Sequence, residues 1–78
     1  MKNNVLQLDG TKVYVLDELT YKNKMYIFTI QLDEQENPIE ENVNIFEVSV
    51  ENENLITKKV EDFEISSIVS NMFIARQN

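Results

Sequence analysis

The apolar positions follow two rhythms, one of period two from Val5 to Val60 and one near 3.6 from Phe63 onward. Val5-Leu6-Gln7-Leu8 is a short apolar stretch closed by Asp9-Gly10, a two-residue hairpin signal that holds the chain's only glycine. A second strand is predicted from Lys12 to Tyr21, with Val13 and Val15 on one face and Tyr14 and Leu16 on the other. Asp17-Glu18 interrupts that pattern and predicts a bulge or the strand's solvated end. A tight hairpin around Asn23 then leads into Met25–Leu32, the most strand-like segment. There Tyr26, Phe28, Ile30 and Leu32 are predicted to face the core, with the opposite face partly covered near Met25 and Ile27.

Residues 33–42 hold the only proline and five acids, and read as a loop. Val43–Val50 returns to strand. Its apolar phase changes between Ile45 and Phe46, which predicts a bulge there. Residues 51–54 read as a turn, and Leu55–Val60 as an edge strand bearing Lys58 and Lys59. From there Ile65, Ile68, Val69, Met72, Phe73 and Arg76 lie on one helical stripe, with Asp62 as N-cap. The stripe is predicted to be core, with Phe73 and Ile74 leaving apolar surface for a partner or a second copy. The fold class is therefore α+β: an antiparallel β-meander of four to five strands with one C-terminal α-helix packed on a face. The expected organisation is a single domain over 1–78, with strands within 4–60 and the helix over about 62–76.

Charge divides the chain differently. Residues 1–32 carry four lysines against three acids, whereas residues 33–64 carry eleven acids against Lys58 and Lys59. With Arg76 the net charge is −7. Such a field repels nucleic acid and anionic membranes, so the expected partner is a protein with a basic surface. The residues expected to serve it are Asp33, Glu34, Glu36, Glu40, Glu41, Glu51 and Glu53, with Tyr21 and Tyr26 as a possible aromatic patch. For the tyrosines, cross-strand packing is the preferred reading. Self-association through the Leu55–Val60 edge is opposed by its two lysines. No apolar run is long enough for a membrane span, and the first residues lack the apolar core of a signal peptide. With no cysteine, a reducing, cytoplasmic setting is expected.

Chemistry-bearing constellations are few. Without His or Cys, neither a Ser-His-acid nor a Cys-His system can be assembled. One glycine cannot build a phosphate-cradling loop. The run from Asp33 fails as an EF-hand, because Pro38 and Asn44 occupy the positions of its required Gly and Glu. No catalytic residue, cofactor or metal ligand is expected. A carboxylate-dependent metal hydrolase would need three acids to converge, and a phage-type inhibitor imitating nucleic acid would need its acids in one row.

Tyr21-Lys22-Asn23-Lys24-Met25-Tyr26, between a hydrophobic strand and the acidic run 33–41, resembles a family of small acidic proteins of unknown function from low-G+C Gram-positive bacteria. Those carry a "Y-x-G-K-x-Y" type hairpin, an acid-rich loop, another strand and a C-terminal acidic-amphipathic segment. Asn23 replaces the usual glycine, a tolerable change because Asn also adopts φ > 0. The resemblance implies a bacterial origin and offers no catalytic residue to carry over, and the abundance of Asn, Lys, Ile and Glu fits an AT-rich genome of a host or of its phage. Together these readings lead to a small non-enzymatic protein-interaction or regulatory module of the bacterial cytoplasm.

Overall fold

Three of the four hairpin turns are two-residue turns, and they fix the order of the sheet. The computed structural model describes residues 2–8 and 10–76. Five strands, β1 (Val5–Leu8), β2 (Thr11–Tyr21), β3 (Lys24–Leu32), β4 (Pro38–Glu51) and β5 (Asn54–Lys59), precede one helix, α1 (Phe63–Arg76). They form one antiparallel sheet in the order β1-β2-β3-β4-β5, each strand beside its sequence neighbour. Leu8 lies opposite Thr11, Tyr21 opposite Lys24 and Glu51 opposite Asn54. Lys22 and Asn23 both have positive φ, as do Asn52 and Glu53, the mirror-image turn whose twist suits a hairpin. Gly10 has φ +79°, in keeping with the predicted first hairpin, while Asp9 lies outside the described residues.

The predicted bulge is present, one residue early. Register shifts between Val15 and Asp17, so Leu16 is the extra residue on β2. Alternation is broken there, and Asp17 and Leu19 come to the same face as Phe28 and Tyr26, their partners on β3. Across that face lies α1. Val69 and Phe73 pack with Leu19, Tyr26 and Ile45, and Phe73 stacks on Phe28 with ring centroids 5.0 Å apart. Asp62 caps the helix as predicted, its Oδ1 accepting the Ile65 N–H at 3.1 Å. Of the two residues expected to leave apolar surface here, Ile74 is exposed but Phe73 is fully buried.

Three sequence expectations require correction. The acid-rich run is not a loop through residue 42. Pro38 starts β4 opposite Leu32, a strand-terminal position that does not need its missing N–H. No bulge occurs at Ile45-Phe46, because Met25 through Ile30 pair in unbroken register with Val48 through Val43. The irregularity lies instead where Ile30 pairs with Val43 but Gln31 with Ile39, leaving Glu40, Glu41 and Asn42 unmatched. Nor is the face opposite α1 merely covered near its start. Val15, Ile27 and Thr29 on that face are completely buried with no helix over them. The sheet curls into a nearly closed barrel, and Leu6 from β1 and Phe46 from β4 pack against the cluster of Val15, Ile27 and Val48. Both phases of β4 are apolar because its middle is covered on both faces, Ile45 by α1 and Val48 within the curl of the sheet.

Candidate protein-interaction surface

The curl and the helix leave part of the α1-side face open. A 14-residue helix is about 21 Å long, whereas the molecule extends 36 Å in two directions. Beyond the reach of α1, Val5 lies opposite Tyr14, Tyr14 opposite Ile30 and Ile30 opposite Val43, one apolar row across four strands. Val5, Tyr14, Leu16, Ile30, Leu32 and Pro38 line a groove of about 450 Å³. Val5 is 47% exposed and Leu32 forms part of the buried floor. The Tyr14 hydroxyl donates to Asn3 Oδ1 at 2.9 Å. Glu36 and Glu40 complete the lining.

The same bulge that supplies Leu16 to this groove sends Asp17 beneath the end of α1. Asp17 is 2% exposed, accepts the Glu18 N–H at 2.8 Å and lies 3.5 Å from the Arg76 guanidinium. Arg76 also donates to the Glu18 carbonyl. A buried carboxylate held in this way fixes the helix end.

The acids expected to recognise a partner separate into three roles. Asp33 organises its own loop, its Oδ1 accepting the N–H groups of Gln35 and Asn37 at 2.9 Å. The Glu36 N–H returns to the Asp33 carbonyl, and Glu36 itself has φ +64°. This is a three-residue hairpin turn with a glutamate where glycine is usual. Glu34, Glu36, Glu40 and Glu41 are exposed at this end of the sheet. There Lys12 pairs with Glu36 at 3.9 Å. Glu51 and Glu53 sit in the β4–β5 turn, at the opposite end of the 14-residue β4. The acids therefore form two groups, not one row.

Of the tyrosines, Tyr26 is 4% exposed and belongs to the core under α1, so it is not part of a surface patch. Tyr21 is half-buried against the same cluster, with the Lys22 ammonium 5.5 Å above its ring. At that end Lys24 and Glu47 pair at 3.2 Å. The hydrogen bond to Glu47, reinforced by the attraction of its charge, holds the Lys24 pKa above its ordinary 10.5. A second concavity of about 570 Å³ opens there, its lining including the exposed Met25, Val50 and Leu55.

Sequence reasoning missed the apolar groove. Tyr14 and Leu16 were legible as one face of β2, and Ile30 and Leu32 as one face of β3. The missing step was to compare helix length with sheet width. Among the described residues, no group of three or more His, Cys, Asp or Glu could hold a metal ion. No helix there is long and apolar enough to cross a membrane. Comparison of the chain with protein-family models, curated proteins and solved structures gives no match.

Proposed function

We propose that this chain is a small non-enzymatic protein-interaction module of the bacterial cytoplasm, whose acid-rich β3–β4 end binds a partner with a basic surface. The observation that supports this reading is the gathering of Glu34, Glu36, Glu40 and Glu41 at one end of the sheet, with Lys12 as the nearby countercharge. Such a patch raises the local concentration of a cationic surface and rejects nucleic acid and anionic lipid. The alternative, an inhibitor imitating nucleic acid, needs evenly spaced acids along one face. The length of β4 between Glu41 and Glu51 favours the first reading over it.

Affinity capture from a bacterial lysate tests the reading, using the wild-type chain and a variant carrying E34K, E36K, E40K and E41K. Proteins retained by the wild type at low salt should be lost from the variant. They should also elute near 1 M salt, where the Debye length is about 3 Å. Identical capture by both chains would end the proposal.

A further inference from the structure

We propose that the groove across β1 to β4 beside the β3–β4 turn is a specificity pocket for one large aliphatic side chain of a partner protein, presented in a segment with Lys or Arg on both sides. This rests on the basic-partner reading and goes further, because it assigns the selective contact to apolar surface instead of charge. At about 450 Å³ the groove lies in the range of roughly 300–1,000 Å³ usual for sites that take a whole small ligand, so it has room for one aliphatic side chain together with the backbone that carries it. Its floor comes from rigid parts of the molecule: Ile30 and Leu32 lie on β3, the central strand, and Leu16 is fixed by the bulge. A pocket on sheet backbone is already formed before a ligand arrives, so little ordering opposes binding.

Charge selects the occupant. Glu36 and Glu40 line the groove itself, and Glu34 and Glu41 are their exposed neighbours. Lys12, shared with Glu36 at 3.9 Å, offsets one of these four. An apolar side chain entering the pocket carries its flanking residues onto that rim, where lysine or arginine is favoured and acid is rejected. A second copy of this chain would bring another net charge of −7 and the same glutamates to the contact, so self-docking is opposed. The concavity at Met25, Val50 and Leu55 selects less sharply, because Lys24 lies in its lining beside Glu18 and Glu47 and pairs with Glu47.

Two synthetic heptapeptides test this, one with a leucine and the other with a serine between two triplets of lysine. Each is titrated into the isotopically labelled protein while amide and methyl NMR shifts are followed. The leucine peptide should bind at least about tenfold more tightly, a difference of about 1.4 kcal/mol, because only its central side chain takes apolar surface out of water. Its largest shifts should fall on the methyls of Val5, Leu16 and Ile30. V5S, at an exposed position that the fold can spare, should reduce the leucine preference and leave serine-peptide binding unchanged. E40K should weaken both peptides. Equal affinity for the two peptides, with shifts confined to the glutamates, overturns the pocket and leaves the basic-partner reading standing. If neither peptide moves any resonance, both fall. Groove shifts that grow with protein concentration alone would make a second copy the occupant and overturn the proposal.

Discussion

Ile27→Ala tests the barrel-like closure directly, because Ile27 faces away from α1. In an ordinary helix-on-sheet layer such a residue would be half-solvated. Here it is fully buried at the middle of the central strand, packed with Val15 and Val48. The substitution removes three carbons, worth about 2.4 kcal/mol at roughly 0.8 kcal/mol per buried methylene. A residual cavity adds about 24 cal/mol per Å³, which brings the expected loss to about 3–4 kcal/mol. A domain of 78 residues holds only about 4–12 kcal/mol in all, so the variant should be close to unfolding. The midpoint of thermal unfolding should drop by roughly 12–30 °C, taking about 4–8 °C per kcal/mol for a domain of this size. The chain has no tryptophan, so urea unfolding is best followed by far-ultraviolet circular dichroism, with Ile27→Val and Ile56→Ala as references. Ile27→Val should cost about 1 kcal/mol. Ile56, 41% exposed on the edge strand, should cost much less than Ile27 on truncation. An Ile27→Ala loss below about 1 kcal/mol with an unchanged urea slope would mean that this face is open to water, refuting the barrel-like curl of the sheet.

Other consequences are as specific. Phe73→Ala should cost about 3–5 kcal/mol, and a double-mutant cycle with Phe28→Ala should show about 0.5–1.5 kcal/mol of coupling from the stacked rings; zero coupling would deny the stack. Asp62→Ala should destabilise by about 0.5–2 kcal/mol through the lost N-cap, measured by thermal melting; no change would mean that the cap bond to Ile65 contributes nothing. Glu53→Gly should raise stability by a few tenths to about 1 kcal/mol, since Glu53 holds φ +67° in a turn that prefers glycine, and a loss on urea unfolding would contradict that geometry. Arg76→Ala should cost about 1–2 kcal/mol, well below the 3–5 of a fully buried pair, because the guanidinium is half-exposed. Hydrogen exchange should then speed up first in the last turns of α1.

The elements were largely legible because each is specified locally. Asn23 and the Glu51–Asn54 run marked turns, the two-residue rhythm marked strands, and Asp62 with Ile65, Val69 and Phe73 marked the helix. What escaped depends on relations between elements. Pro38 reads as a breaker until its partner Leu32 places it at the first position of a strand, where a missing N–H costs little. The change of apolar phase at Ile45-Phe46 suggested a bulge, because alternation in sequence does not distinguish a kinked one-sided strand from a straight two-sided one. Asp33 looked like surface charge, yet its carboxylate is taken up by two backbone amides of its own loop. Asp17-Glu18 read as a bulge or a solvated strand end, and neither reading buries Asp17. Its burial became legible only with Arg76 beside it, and nothing in local pattern links residues so far apart in the chain. The candidate site was half visible: the acids could be counted, but the groove they border is defined by what α1 fails to cover.

The nearest-neighbour strand order also has a consequence in time. During synthesis every strand from β2 onward emerges beside the edge it will occupy, joined to it by a link of two to five residues, so no strand waits for a distant partner. Hairpins of this kind form in about 1–10 μs, and local pairing is the topology that folds fastest among β-rich chains. The late event is the return of α1. Until Val69 and Phe73 arrive, Leu19, Tyr26 and Ile45 lack their cover, and the Arg76 clasp on Asp17 and Glu18 closes behind them. Assembly should therefore proceed as a zipper with a latch, and unfolding should begin at the latch.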